Sequence, residues 1–310
     1  MSAPLNIGIT CFPTWGGSGV IATEIGVAMA ERGHRVHFIA RDLPVRLRHT
    51  SGNVMFHEVT ESGYPVLQDS NTYPIALASK IIDVASHSRL DVVHVHYAVP
   101  HATSAWMARE VLGHHAPRVV TTLHGTDITL VGNDPSYLPI TRFSILKSDL
   151  VTAPSAFLRK ATWENLGIPS SFPIEVIPNF VDTDLFAPPA ARDHSQLRVP
   201  FPTMAPGEAV LFHTSNFRSV KRICDVVAIF NEVSRRRPCR LVMIGDGPDR
   251  SGAERKLREL GLGERVAFLG KQDGFSELLA NADVFLLPSE TESFGLAALE
   301  ALSLDFGRLG

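Results

Sequence analysis

The sequence predicts an α/β protein built as two Rossmann-like, doubly wound domains facing a cleft. Three observations carry that prediction. Short apolar runs alternate with amphipathic stretches in both halves of the chain, the pattern of strand–helix units around a parallel sheet. The alternation is interrupted once, by a Pro- and Ala-rich segment. At 310 residues the chain is long for one domain and suits two.

In order, residues 6–11, 35–40, 54–58, 92–96, 119–123, 150–153 and 174–177 are apolar, β-branched-rich runs and predict strands. Residues 20–32, 75–86, 103–112 and 157–166 carry helical spacing between them, with Gly33 placed to end the first helix. Residues 183–206 contain Pro188-Pro189 and Pro200-Phe201-Pro202 and predict a linker between a first domain of 1–182 and a second of 207–310. The alternation then resumes, with strands at 209–214, 240–244, 265–269 and 284–287. Helices are predicted at 223–235, 250–260, 275–280 and from Leu296 onward.

Composition excludes several classes. The balance of 45% hydrophobic and 20% charged residues is globular, and a net charge of −3 gives no basic field for nucleic acid. No apolar run approaches the roughly 18 residues of a membrane helix. The N-terminus enters a strand directly, without a leader pattern, and three scattered cysteines form neither a disulfide framework nor a zinc spacing. A reducing, cytoplasmic location follows as an expectation.

In sheets of this kind ligands bind at the carboxyl ends of the strands, and the chemistry-bearing residues cluster there. Gly16-Gly17-Ser18-Gly19 follows the first strand and opens a helix, as a phosphate or sugar cradle or as simple helix–strand packing. The fourth strand ends in His94, His96 and Tyr97. The two histidines share a face without a third metal ligand at convincing spacing, and Tyr97 is the better substrate contact. Thr122 and His124 end the fifth strand, where His124 is suited to hydrogen-bond a hydroxyl. Asp182-Thr183-Asp184 has the look of a metal motif but sits where turn capping is the simpler reading. Asn216, Lys221 and Arg222 lie in the first turn of the second domain. Lysine at a helix start opposes the helix dipole, a conflict that a bound anion would relieve. Gly245 to Pro248 and Gly270 to Asp273 are strand-end loops able to offer backbone groups to a base or ribose. Finally, Glu292 and Glu300 flank Phe294-Gly295-Leu296 at a helix start. Free N–H groups there would meet an anion such as a diphosphate, and the carboxylates would accept hydrogen bonds from paired hydroxyls.

Together the Gly16 to Gly19 turn, His124, Lys221, Gly245-Asp246-Gly247-Pro248 and the Glu292-x7-Glu300 pattern around Phe294-Gly295-Leu296 resemble the retaining family-4 glycosyltransferases of the GT-B fold. The resemblance covers nearly the whole chain. Residues 7–13, 94–101, 122–129, 215–218 and 270–273 narrow it to the branch that opens bacillithiol biosynthesis. It implies UDP-N-acetylglucosamine as donor, L-malate as acceptor, no required cofactor and no metal, and it is compatible with a homodimer. It further implies roles. Lys221 and Arg222 would neutralise the diphosphate leaving group. Glu300 would bind the ribose, and Glu292 with the Phe294, Gly295 and Leu296 amides would hold the sugar. Gly270, Gln272 and their neighbours would frame the uracil, with Asn216 and the amides of Gly17, Ser18 and Gly19 lining the donor. His124 would contact the sugar, and Ser18, Tyr97, Thr122 and Arg142 would hold malate; a guanidinium independently suits a carboxylate.

No carboxylate on the acceptor side reads as a nucleophile, so the expected mechanism is same-face attack with the departing phosphate taking the acceptor proton. Residues 303–310 depart from the family pattern, so the second domain is expected to be incomplete. That leaves two other readings: a UDP-sugar-binding protein without turnover, and a family-4 transferase for another acceptor.

Overall fold

The computed structural model describes residues 3–14, 16–47, 52–61, 71–190, 200–201, 204–205, 207–272 and 274–305. The chain divides into two compact units, Met1–Asn179 and Phe180–Gly310.

The first unit holds a seven-stranded parallel sheet. Its strands are β1 (Asn6–Thr10), β2 (Arg35–Ala40), β3 (Val54–Glu58), β4 (Val92–His96), β5 (Arg118–Thr122), β6 (Leu150–Ala153) and β7 (Glu175–Val176), in the order β3-β2-β1-β4-β5-β6-β7. Helices α1 (Gly17–Glu31), α2 (Tyr73–Ser88), α3 (Thr103–Leu112), α4 (Thr126–Thr129), α5 (Leu138–Leu146) and α6 (Ala156–Leu166) connect them. The alternation of side chains along each strand sorts the core into two layers. Ile7, Ile9, Val36 and Phe38 pack with Ala22 of α1, whereas Ile39, Val93 and Val95 pack with Leu77 and Ile81 of α2 and Ala105 and Ala108 of α3. Strand order reverses between β1 and β4, so the carboxyl ends of these two strands form the topological switch point.

The second unit holds β8 (Ala209–Thr214), β9 (Cys239–Ile244), β10 (Val266–Gly270) and β11 (Val284–Phe285), all parallel, in the order β10-β9-β8-β11. Helices α7 (Ile223–Ser234) and α8 (Arg250–Glu259) cover one face through Val226, Phe230, Ala253 and Leu257. The other face is covered by α9 (Ser276–Ala280) and α10 (Leu296–Ser303), together with Phe186 and Phe201. Here the switch point lies between β8 and β11.

Three differences from the sequence reading have physical causes. The segment 183–206 is not a free connector in its described part. Phe186 and Phe201 are buried on the second sheet, because a parallel sheet needs both faces covered and α9 and α10 are short. Residues 191–199, 202, 203 and 206 of that segment, and 306–310 of the tail, lie outside the described residues. Helix α5, which carries Pro139, is not among the helices that the sequence predicts. The proline falls in the first turn, where its missing N–H costs nothing. Helix α1 starts at Gly17 rather than Val20, so Gly17, Ser18 and Gly19 form its first turn.

Candidate functional site

Both switch points carry polar side chains, and each is built from its own unit. In the first unit β1 ends against the turn that starts α1. Ser18 is buried there and Gly17 exposed, while a Cβ on Gly19 would overlap the carbonyls of Phe12 and Thr14, so only glycine fits. β4 delivers His94, His96 and Tyr97, and β5 delivers Thr122 and then His124.

These residues form one hydrogen-bonded layer. His94 Nε2 lies 2.7 Å from Thr122 Oγ1, which is 2.7 Å from Thr152 Oγ1. Thr122 is thus buried with its hydroxyl engaged inside the sheet. His96 Nδ1 meets His124 Nε2 at 2.8 Å, so the two rings share a proton across that contact. Tyr97 stands at the rim, with its ring 5.1 Å from His124 and 5.3 Å from Phe12. Its backbone is held at φ +87°, a region that non-glycine residues enter at a cost.

Burial pushes all the histidines of this layer toward the neutral form. His94 falls to about 4, as does His101, whose ring packs 4.6 Å from Phe12, and His124 falls to about 3, while His96 lies well below the ordinary range. Beneath His124, Asp127 accepts from the N–H groups of His124 (3.1 Å), Gly125 (2.9 Å) and Ala98 (3.2 Å). Burial raises its pKa to about 6, against the lowering effect of those bonds. Asp127 ties the ends of β4 and β5 together. The only sequence signal for it was its place two residues after a glycine that follows a strand-end histidine.

Arg142 is not brought to this layer. It is exposed on α5, and its Nη1 lies 3.8 Å from where a Cβ on Gly167, the residue that caps α6, would stand. Helix α6 begins beside the carboxyl end of β6, so Gly167 lies about 16 Å farther down the helix.

In the second unit the loops after β8 and β11 converge. Lys221, in a 3₁₀ turn before α7, donates to Glu292 Oε1 at 2.5 Å across 71 residues of sequence. Both side chains are mostly buried. The preceding Glu290 N–H donates to the Val220 carbonyl at 2.9 Å, so the two loops are tied by backbone as well. Arg222 caps α7 in the left-handed region (φ +52°) and pairs with Asp225 in the first turn of that helix. This pairing relieves part of the charge conflict expected at the helix start. Asn216 is exposed in the same turn.

Gly245, at φ +115°, lets the β9 loop lie directly on Ser215, whose carbonyl a Cβ there would overlap. Its N–H donates to the Gly270 carbonyl at 2.7 Å, and Gln272 Nε2 donates to the Leu269 carbonyl at 2.6 Å, which closes the β9–β10 end. Asp273 lies outside the described residues. Gly295 caps α10 in the left-handed region between the half-buried Phe294 and Leu296. Glu300 is buried one turn further on. The N-terminus of α10 and the Lys221 ammonium, which meets Glu292 in the loop before that helix, are groups that favour an anion, whereas the Arg222 guanidinium pairs with Asp225.

Two metal readings can be placed. Asp182 Oδ1 accepts from the N–H groups of Asp184 (2.9 Å) and Leu185 (3.1 Å), the turn capping that the sequence suggested. Among the described residues no group of three or more His, Cys, Asp or Glu side chains is placed to hold a metal ion. Among them also no helix is long and apolar enough to cross a membrane.

Comparison with known proteins covers both units. Residues 15–185 match the family described as Glycosyltransferase Family 4, and residues 200–306 that described as Glycosyl transferases group 1. The N-acetyl-alpha-D-glucosaminyl L-malate synthase of Bacillus anthracis is 46% identical over 299 residues, spanning 96% of this chain and 76% of that protein. The D-inositol 3-phosphate glycosyltransferase of Nocardia farcinica is 26% identical over 310 residues, spanning 92% of this chain and 67% of that protein. Among solved structures, sucrose-phosphate synthase from Thermosynechococcus elongatus superposes with a TM-score of 0.73 at 18% identity, over 97% of this chain and 79% of that one. Anabaena HepE in complex with UDP and glucose does so with a TM-score of 0.73 at 18% identity, over 97% and 78%. These structural likenesses are likenesses of fold, and the fold is GT-B.

Proposed function

Because the chain belongs to the family-4 glycosyltransferases, we propose that it moves N-acetylglucosamine from UDP-N-acetylglucosamine to the hydroxyl of L-malate with retention, the first step of bacillithiol biosynthesis. The observation that carries this reading is the 46% identity to the malate synthase, which runs through both units. The geometry supports it. In the second unit Lys221, Arg222 and the N-terminus of α10 receive the diphosphate, Glu292 and the Phe294 to Leu296 amides hold the sugar, and Glu300 binds the ribose. Asn216, Gly270 and Gln272 frame the rest of the nucleotide. In the first unit Ser18, Tyr97 and the Thr122 end of β5 receive the acceptor, and His124 contacts the sugar.

The reaction exchanges one bond at the anomeric carbon. Its bond to the UDP oxygen breaks, a bond to the malate hydroxyl oxygen forms on the same face, and the hydroxyl proton passes to the departing phosphate. Asp127, the buried carboxylate of the acceptor layer, is already committed to three backbone N–H groups and is no free nucleophile. The protein's contribution is positioning and stabilisation of leaving-group charge, at most several kcal/mol for each well-placed group. The three unpaired cysteines fit a reducing, cytoplasmic setting, and a homodimer is compatible with the resemblance.

Purified protein with UDP-N-acetylglucosamine and L-malate should release UDP and form a product of the mass of the glycosylated malate. UDP binding without product supports the binding-only reading. Release with inositol phosphate and none with malate overturns the acceptor assignment.

A further inference from the structure

In the second unit one buried histidine joins the two loops that carry Lys221 and Glu292. β11 pairs with β8 over only two residues, Val284 with Leu211 and Phe285 with Phe212. The backbone ladder continues one rung further, from the Leu286 N–H to the Phe212 carbonyl at 2.8 Å. The next acceptor, the Leu286 carbonyl, is met by a side chain instead, His213 Nδ1 at 2.9 Å.

A carbonyl only accepts, so Nδ1 carries the proton and Nε2 of the neutral ring is an acceptor. Nε2 lies 2.9 Å from Ser215 Oγ, which therefore donates to it, and Ser215 Oγ accepts from the Phe217 N–H at 3.2 Å. Each link in this chain has a single polarity. The chain runs from the strand that leads to Glu292 into the turn that leads to Lys221. That turn is otherwise costly, since Phe217 is fully buried with φ at +39°. The His213 ring is itself fully buried and stacks 6.0 Å from Phe217. Burial, the largest influence on it, lowers its pKa to about 4, so the neutral ring that the chain requires is the one present at neutral pH.

We infer that His213, acting with Ser215, is a positioning residue of the donor site: it fixes the β8 loop against the β11 loop and so sets where Lys221 stands relative to Glu292. The inference rests on the donor assignment made above. A phenyl ring would occupy the space without the two nitrogens. It would leave the Leu286 carbonyl without the donor that His213 supplies and the Ser215 O–H without its acceptor, with only the Phe217 N–H still bonded to Ser215 Oγ, and let the two loops drift.

The test is calorimetric titration with UDP of the wild-type chain, His213→Phe, Ser215→Ala, the double variant and His213→Asn. Circular dichroism and thermal melting establish that each is folded. His213→Phe and Ser215→Ala are each expected to weaken UDP binding by roughly tenfold or more, the scale of small misplacements of binding groups. The double variant should be no weaker than the worse single variant, because both cut the same chain. His213→Asn, which can still donate toward the Leu286 carbonyl but cannot reach Ser215, should fall between wild type and His213→Phe. A merely structural histidine would lower the melting temperature and leave the affinity of the folded protein unchanged. A UDP affinity within twofold of wild type in folded His213→Phe or Ser215→Ala overturns the inference, as do additive losses. If His213→Phe does not fold, Ser215→Ala decides alone. A wild-type chain that binds no UDP overturns the donor assignment, and this inference with it.

Discussion

Replacing Glu292 by Gln should tighten UDP binding even though it removes an ion pair from the donor site. Lys221 donates to the Glu292 carboxylate at 2.5 Å, with the two side chains 19% and 25% exposed. A phosphate oxygen that hydrogen-bonds the same ammonium at about 2.8 Å stands roughly 5 Å from that carboxylate. Two unit charges at ~5 Å and an effective dielectric of about 20 repel by about 3 kcal/mol. Partial exposure and salt reduce this to about 1–2 kcal/mol, or roughly five- to thirtyfold in affinity. Glutamine keeps an oxygen that accepts from Lys221 and removes the charge. Titration calorimetry with UDP at low salt should show the gain, and the gain should shrink in 0.5 M salt on the order expected for a short screening length. Turnover should fall in the same variant, because the contact proposed between Glu292 and the sugar is weakened. UDP affinity that is unchanged or weaker in Glu292→Gln refutes the argument that the carboxylate competes with the diphosphate for Lys221.

Two further outcomes are expected. Gly245→Ala places a methyl group against the Ser215 carbonyl at a backbone φ of +115°, so the second unit should lose roughly 2–4 kcal/mol; a denaturant midpoint equal to wild type would contradict this. Acid should unfold the first unit early. The neutral His94, His101 and His124 have folded pKa values of about 4, 4 and 3, below the unfolded 6.5, so the unfolded chain takes up their protons first. Their contribution is intact above pH 6.5 and is lost as the pH falls toward 4, at about 2 kcal/mol each by pH 5. Asp127, raised to about 6, acts in the opposite direction and returns about 1 kcal/mol below pH 6. Denaturant unfolding at pH 7.5 and pH 5 should therefore differ by several kcal/mol, and equal stability at the two values would show that these rings are not held neutral.

Much of this was legible in the chain because the signals are local. Strand runs, helix spacing, the glycine turn before α1 and the Glu292–Glu300 interval all depend on neighbours within a few residues. The site chemistry was less legible wherever it depends on strand order. Sequence reasoning valued Lys221 and Glu292 separately and could not pair them, since their contact arises because β11 lies beside β8. It likewise read His94 and His96 as a face of one strand, without the partners Thr122 and His124 that β5 supplies. Arg142 has the right chemistry for a carboxylate, and it sits on α5, a helix the sequence analysis did not list.

The sequence by itself determined the class of fold, two strand–helix alternations, and the residue types a nucleotide-sugar enzyme needs at strand ends. The tertiary structure decided which of them meet. A parallel sheet places strands distant in sequence side by side, and only that adjacency joins Lys221 to Glu292, makes His213 the link between their loops, and turns Phe186 and Phe201 from linker residues into the cover of the second sheet.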